Sequence, residues 1–173
     1  CQRCGLCRGR THVVPGEGNP NAKLMLIGEG PGAQEDRLGR PFVGASGELL
    51  TRYLHEIGLE RTEVYIANIV KCRPPGNRTP AEEEAQACLP YLRAQFRLIR
   101  PRLLVLLGAT AAKHILGGDV RIRRDHGQWT ERKGVWMMPT FHPSALLRDP
   151  SQRVDAWHDF QSVQARLREL EEA

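Results

Sequence analysis

Apolar residues are concentrated in four short runs that are separated by longer amphipathic stretches. The runs cover residues 23–27, 64–70, 102–107 and 135–138, and they are rich in Val, Ile, Leu and Met with little polar alternation. Strands that are buried on both faces have this composition. The pattern therefore predicts four parallel strands in a sheet that is covered by helices.

Apolar positions recur at helical spacing between and after these runs, over residues 45–57, 80–99, 109–116 and 151–171. For the second of these helices, Thr79 as N-cap, Pro80 at the first position and Glu82 as the partner in a capping box predict the start. Gly117 and Gly118 predict the end of the third helix. The alternation predicts an α/β fold, a three-layer α/β/α sandwich with a four-stranded parallel sheet, in a single domain over residues 1–173.

The segments that follow the four strands are where a ligand is expected, because ligands of such sheets bind beyond the carboxyl ends of the strands. These segments are residues 28–32 (GEGPG), 71–74 (KCRP), 108–110 (GAT) and 139–143 (PTFHP). Three of them are dense in Gly, Pro and polar side chains. The sequence therefore predicts one site at one edge of the sheet.

Charge and composition narrow the classes of partner. No apolar run approaches the roughly 20 residues of a membrane-spanning helix, and the N-terminus lacks the apolar core of a signal peptide. We therefore expect a cytoplasmic protein without membrane contact. The formal net charge of +5 fits either plain solubility or a polyanionic partner such as nucleic acid. One basic stretch contains Arg121, Arg123, Arg124, Arg132 and Lys133.

Five cysteines indicate a metal centre rather than a disulfide framework, because their number is odd and three lie within seven residues. Cys1 and Cys4 have CxxC spacing, and together with Cys72 and Cys88 they supply four thiolates. The second CxxC of a zinc ribbon is absent, which favours a [4Fe–4S] cluster over zinc. Two alternatives stay open: Cys88 as an ordinary core residue, and Cys7 either in place of Cys1 or as a free thiol.

The glycine-rich segment after the first strand, taken alone, also fits a phosphate-binding loop, although no GK[ST] follows it. The wider set of motifs is more specific. GEGPGAQEDRLGRPFVGASGELL, NIVKCRPPGNRTP and FHPSALLRDP, preceded by the CxxC, resemble in this order the family 4 uracil-DNA glycosylases, from Cys1 to Pro150. The resemblance implies the α/β/α sandwich and a [4Fe–4S] cluster with Cys1, Cys4, Cys72 and Cys88 as ligands.

The resemblance also implies how a flipped uracil is held. Phe42 stacks on the ring, and the amide of Asn68 matches the O4 and N3–H of the base edge. Glu29 opposes the 5-position against thymine, and backbone amides near Gly30 hold the pyrimidine. His142 donates a hydrogen bond to O2 as the base leaves as an anion. Without the resemblance, Phe42 would be taken as core, Asn68 as a satisfied buried amide, and His142 as structural.

The water and the DNA strand have candidate partners from the same motifs. Glu35 is a candidate base or stabiliser of the oxocarbenium-like sugar, and Asn77 a candidate to position the attacking water. Their simpler alternatives are a solvated carboxylate and a turn amide. Leu146 fills the space left by the flipped nucleotide, unless it is a core contact, and Ser144 and Arg148 meet backbone phosphates.

These roles predict hydrolysis of the N-glycosidic bond of deoxyuridine in single- or double-stranded DNA, which leaves an abasic site for base excision repair. We expect base release without strand cutting, because no lysine lies where a motif would place a Schiff base, and we interpret Lys71 as a phosphate contact. We expect a monomer. Two other classes are carried as alternatives: a non-catalytic iron–sulfur DNA-binding protein on the same fold, and a nucleotide-binding α/β protein.

Overall fold

A six-stranded mixed sheet lies at the centre of the computed structural model, which describes residues 1–173. The strands are β1 (Glu17–Gly18), β2 (Leu24–Gly28), β3 (Tyr65–Asn68), β4 (Leu103–Leu107), β5 (Thr130–Arg132) and β6 (Val135–Thr140). Their order across the sheet is β1-β3-β2-β4-β6-β5. The four inner strands are parallel, and the two edge strands are antiparallel to their neighbours.

The four inner strands are the four that the apolar runs predict, so the α/β fold is confirmed. The strand count is corrected, because the parallel four form the centre of a larger mixed sheet. The sequence gives little sign of the two edge strands: β1 has two residues, and β5 is the exposed segment Thr-Glu-Arg. An edge strand of this kind is formed by pairing with its neighbour and carries no apolar run of its own.

Seven helices accompany the sheet: α1 (Ala33–Leu38), α2 (Ala45–Glu56), α3 (Glu82–Ile99), α4 (Ala109–Leu116), α5 (Ile122–Asp125), α6 (Pro143–Arg148) and α7 (Arg153–Glu172). The four predicted helices are α2, α3, α4 and α7, each with ends within two residues of the expected ones. The three others are too short, at four to six residues, to show a helical period. No helix is both long enough and apolar enough to cross a lipid bilayer.

The start of α3 differs from its prediction. The N-cap is Ala81 rather than Thr79, and the side chain that closes the capping box is Glu84, which accepts from the Ala81 amide at 2.8 Å. Arg78 holds the same carboxylate at 2.7 Å. Because Glu84 binds the Ala81 amide, the capping box is formed two residues later than the Thr-Pro signal predicts, and the helix begins there.

Alternate residues of each inner strand face two separate cores. Leu24 and Leu26 pack with α2, α6 and α7 on one face of the sheet, while Met25 and Ile27 pack with α3 and α4 on the other. Burial on both faces explains why these strands are continuous apolar runs. The result is the three-layer sandwich, and the carboxyl ends of β2, β3, β4 and β6 meet along one edge.

Candidate active site

An open cleft of about 930 Å³ lies at the carboxyl edge of the parallel strands. Seven of the predicted site residues line it: Glu29, Gly30, Glu35, Asn77, His142, Ser144 and Arg148. The segments after β2, β4 and β6 meet in this cleft, whereas the segment after β3 is divided, with Pro74 at the cleft and Lys71 and Cys72 at a second cavity. Three other predicted residues, Phe42, Asn68 and Leu146, are buried and do not line the open space.

His142 is the N-cap residue of α6, and its ring has one defined tautomer. The backbone amide of Ser144 donates to His142 Nδ1 at 3.1 Å, and the Ser144 hydroxyl lies 2.7 Å from the same nitrogen. Because a backbone N–H can only donate, Nδ1 is an acceptor and the ring proton belongs to Nε2. His142 therefore offers the cleft a neutral N–H donor.

The protonation state of His142 follows from its surroundings. Burial, and to a smaller extent the nearby Arg148 guanidinium, lower the pKa of the imidazole to about 4, although the Glu35 carboxylate partly opposes them. The ring is consequently uncharged near neutral pH. A neutral donor is suited to an acceptor that becomes more negative during a reaction.

Phe42 is held beside His142 in a strained backbone conformation. Its φ is +49°, in the left-handed region that non-glycine residues rarely adopt. Arg61 donates to the Phe42 and Pro41 carbonyl oxygens, each at 2.8 Å. A side chain at Gly47 would lie only 1.9 Å from the Phe42 oxygen, so α2 can pack here only because Gly47 has none. These contacts place the Phe42 ring 5.4 Å from the His142 ring, centroid to centroid.

Asn68, the last residue of β3, carries an unpartnered buried oxygen. Its side chain is 2% exposed, and Oδ1 accepts no hydrogen bond. An added Cβ at Gly28 would lie 2.6 Å from both Asn68 Oδ1 and Phe42 Cζ, which places the two side chains together against the end of β2. An unsatisfied buried amide costs roughly 1–3 kcal/mol and is typical of ligand sites.

Glu29 and Gly30 form the part of the cleft that follows β2. The Thr110 hydroxyl, at the start of α4, donates to Glu29 Oε2 at 2.5 Å and so fixes the carboxylate. A side chain at Gly30 would lie 2.7 Å from Val70, so the glycine allows the backbone to pass close to the end of β3. The sequence indicates that Thr110 lies after a strand, but it gives no sign that Thr110 contacts Glu29.

Glu35 and Asn77 line the cleft, but the side-chain oxygens of both already accept hydrogen bonds from other residues of the protein. The Glu35 carboxylate accepts from the amides of Gly32 at 2.9 Å and of Val43 and Gly44 at 3.0 Å. It therefore fastens α1 to the loop before α2. Asn77 has a φ of +59° in a tight turn, and its Oδ1 accepts from Arg73 Nε at 2.8 Å.

The structure contradicts the prediction that Leu146 projects into DNA. Leu146 is 1% exposed and packs in the core beneath α6, whereas the next residue, Leu147, is 39% exposed and lines the cleft. Pro143 and Leu146, three positions apart, form the buried side of this short helix. That spacing is the signal in the sequence that would have assigned Leu146 to the core.

Only part of the predicted basic stretch faces the cleft. Arg123 lines it, together with Arg148 of the FHPSALLRDP motif. Arg124 is paired with Asp125 at 2.8 Å, and Arg132 donates to the Leu116 carbonyl at 2.7 Å. The free positive charge beside the cleft is therefore smaller than the sequence suggests.

All five cysteines line a second cavity, of about 300 Å³, and none forms a disulfide. Three sulfur atoms accept hydrogen bonds there: Cys72 from Arg10 at 3.4 Å, Cys1 from the Tyr91 hydroxyl at 3.3 Å, and Cys88 from a backbone amide at 3.2 Å. These contacts join the N-terminal segment, the loop after β3 and helix α3 around one cavity.

The cysteine cavity offers thiolates from three separate parts of the chain, the N-terminal segment, the loop after β3 and helix α3. In a [4Fe–4S] cluster each thiolate binds a different iron, so the sulfurs lie around the group rather than at one centre. Four thiolates in a largely apolar cavity with N–H donors to sulfur are a suitable ligand set.

Lys71 belongs to the cysteine cavity and not to the cleft at the carboxyl ends of the strands. Its side chain is 5% exposed, and Nζ donates to Gln95 Oε1 at 2.7 Å. Burial lowers the pKa of the amino group to about 8, with the Cys88 sulfur opposing the shift. The interpretation of Lys71 as a phosphate contact is wrong, because the ammonium group points away from solvent.

Comparisons with known proteins show the family of the chain. The family profile described as "Uracil DNA glycosylase superfamily" matches residues 15–170, and the chain belongs to that superfamily. It is 45% identical over 172 residues to the type-4 uracil-DNA glycosylase of Sulfurisphaera tokodaii, across 94% of this chain and 78% of the relative. The type-4 enzyme of Thermotoga maritima is 48% identical over 158 residues (89% and 81%), and that of Pyrobaculum aerophilum 44% over 162 (88% and 82%). Within the superfamily, the chain belongs to the type-4 uracil-DNA glycosylases.

Proposed function

We propose that the cleft removes uracil from DNA by hydrolysis of the N-glycosidic bond, with the division of roles given below. Uracil-DNA glycosylase activity in base excision repair follows from membership of the type-4 family. The observation that carries the assignment of the site is the neutral His142, whose Nε2–H is free while Nδ1 is occupied by Ser144.

His142 stabilises the departing base. As the bond to the sugar breaks, negative charge grows on uracil O2, and a fixed N–H donor lowers the energy of that state. Ser144 donates to Nδ1 and keeps the proton on Nε2. Since its hydroxyl is engaged with the imidazole, we assign Ser144 to the orientation of His142 and no longer to a phosphate.

Asn68, Phe42 and Glu29 recognise the base. The unpartnered Oδ1 of Asn68 gains an N–H partner when uracil N3–H arrives, so the energy spent on burying this amide is recovered on binding. Phe42 stacks on the ring from its fixed position against Gly28. Glu29, fixed by Thr110, faces the 5-position and disfavours the methyl group of thymine, while the backbone at Gly30 holds the pyrimidine.

Asn77 positions the attacking water, and Glu35 supplies charge rather than a base. A carboxylate has about four acceptor positions, and three backbone amides already occupy Glu35. Its negative charge is close enough to raise the pKa of His142, so it can also stabilise a positively charged sugar. Asn77 retains its amide N–H groups for a water, because only Oδ1 is taken by Arg73.

Arg148 and Arg123 contact phosphates at the cleft, and Leu147 replaces Leu146 as the apolar wedge. Both arginines line the cleft, and Leu147 is the exposed leucine of α6. An apolar side chain that enters the duplex offsets the stacking lost when a nucleotide leaves it.

Cys1, Cys4, Cys72 and Cys88 hold a [4Fe–4S] cluster that ties the N-terminal segment to the region between β3 and α3. When bound, the group supplies electron-transfer chemistry, but no step of glycosidic hydrolysis requires it. Cys7 lines the same cavity and stays the alternative ligand. We further propose a cytoplasmic monomer in which all 173 residues act as one catalytic domain.

Incubation of the pure protein with a uracil-containing oligonucleotide, with and without alkali, tests the proposal. We expect free uracil and strand breaks only after alkali, which marks base release without a lyase step. His142→Ala and Asn68→Ala should each lose orders of magnitude in rate, while circular dichroism shows a preserved fold. If the wild-type protein leaves deoxyuridine-containing strands intact, the proposed function is refuted. If both variants keep full activity, the roles assigned to His142 and Asn68 are refuted.

A further inference from the structure

The wall of the cysteine cavity has an unusual distribution of charge. Three cationic side chains line it, those of Arg3, Arg10 and Lys71, and no aspartate or glutamate does. Elsewhere in the chain, many arginines are paired with carboxylates. A cavity whose only charged walls are positive is suited to an anionic occupant.

Lys71 lacks a negative partner within the protein. It forms no salt bridge, and its ammonium group donates only to the neutral amide oxygen of Gln95, at 2.7 Å. Burial of an ammonium group without a counter-charge destabilises the folded protein. The cysteine thiols, which can become negative, line the same cavity as Lys71, and the Lys71 backbone amide donates to Cys88 Sγ at 3.2 Å.

Arg10 approaches the same cavity from the N-terminal segment. Arg10 Nη1 donates both to the Cys1 carbonyl at 2.8 Å and to Cys72 Sγ at 3.4 Å. No carboxylate pairs with the guanidinium group. It therefore bridges two proposed ligands that are distant in sequence. Its neighbour Arg8 is exposed and does not line the cavity.

We propose that Lys71 and Arg10 are the counter-charges of the iron–sulfur cluster, and that they set its reduction potential and its retention in the protein. The inference rests on the proposed cluster. A [4Fe–4S] group with four thiolates is an anion, and reduction makes it more negative. Positive charge and hydrogen bonds at the sulfurs favour the reduced form, so both side chains raise the potential.

The test compares the holoprotein with Lys71→Met, Arg10→Gln and the control Arg8→Gln, which removes one charge from the same segment without touching the cavity. We expect protein-film voltammetry to give a lower potential for Lys71→Met and Arg10→Gln and an unchanged potential for Arg8→Gln. The absorbance near 400 nm should decay several-fold faster under chelator in the first two. Arg10→Lys should restore part of the potential, because the charge is kept.

A second measurement separates a charge effect from a packing effect. Removal of iron leaves Lys71 buried without a counter-charge in the wild type but not in Lys71→Met. The fall in melting temperature on iron removal should therefore be smaller in Lys71→Met than in the wild type. Equal falls together with unchanged potentials would overturn the inference and leave the cluster intact, whereas wild-type protein without bound iron would overturn the cluster itself.

Discussion

At the scale of single residues, the environment of a side chain decides what it can do in this enzyme. His142 has the ring of any histidine, but the Ser144 amide fixes its tautomer and burial fixes its charge. Asn68 likewise carries a buried oxygen without a partner, which is the basis of its proposed role in recognising the base. In the proposed mechanism, both groups are already in position before the substrate binds.

The pH dependence of the enzyme should report the lowered pKa of His142. Because that pKa is about 4 and not 6.5, uracil release should be flat from roughly pH 5.5 to pH 8 and fall only at lower pH, as protonation displaces the Ser144 donors. Single-turnover rates across this range, with circular dichroism at each pH, check it. An activity limb centred near 6.5 would show that His142 titrates normally.

The same shift has a consequence for stability. The pKa of His142 is lower in the folded than in the unfolded protein, so the unfolded chain takes up the proton first as the pH falls. The contribution of His142 to stability is therefore complete above about pH 6.5 and is lost as the pH falls toward 4.

Ser144→Ala keeps the backbone donor to His142 Nδ1 and should therefore cost less activity than His142→Ala.

At the scale of elements, short helices and turns aim the functional groups. Helix α6 turns Leu146 into the core and Leu147 into the cleft, and Glu35 of α1 fastens the loop that carries Phe42. The edge strand β1 contributes as well, since Glu17 holds Arg61 at 2.7 Å and Arg61 in turn holds the Phe42 carbonyl. Elements too short to be predicted therefore position groups that the motifs identify.

Leu147 and Leu146 form a matched pair of variants on α6. Leu147→Ala should slow uracil release from duplex DNA more than from single strands, because only a duplex has a gap to fill, and should change stability by about 0.5 kcal/mol or less. Leu146→Ala should cost about 2–5 kcal/mol of stability by leaving a cavity. Thermal melts and uracil release from both substrates measure the pair. Equal slowing of both substrates in Leu147→Ala would remove it from the wedge role.

At the scale of the whole molecule, the sandwich separates two sites of different chemistry. The cleft lies at the carboxyl edge of the strands, whereas the cysteine cavity lies on the α3 side, between that helix and the N-terminal segment. In the proposed division of roles, the positive charges beside the cleft contact DNA, and those around the cysteines are the counter-charges of the cluster.

DNA affinity should distinguish these two sets of charges. Arg123→Ala and Arg148→Ala should each weaken binding and reduce the salt slope by about 1, because each removes one phosphate contact. Arg97→Ala, on the exposed surface of α3 and outside the cleft, should leave the slope unchanged. Fluorescence anisotropy at several salt concentrations measures how the DNA affinity of each variant depends on salt. If this dependence is the same in all three variants, the cleft arginines do not bind phosphates.

The sequence by itself determined the inner strands, the long helices and the edge where the site lies. Strands buried on both faces must be apolar throughout, and parallel strands end at a common edge, so local composition carries this information. The motifs at those ends also carried the family and most of the residues that line the cleft. Phe42 and Asn68 were identified from the motifs, although nothing local shows that they meet at Gly28.

Only the tertiary structure decided how individual groups are turned and paired. The burial of Lys71 and the lowered pKa of His142 depend on residues that are distant in sequence. The carboxylate of Glu35 is occupied because the loop before α2 folds back onto α1. The edge strands exist only through their pairing. Local pattern fixes which residues form an element, but burial and electrostatic environment are sums over the contacts that folding creates, and these set the chemistry of each side chain.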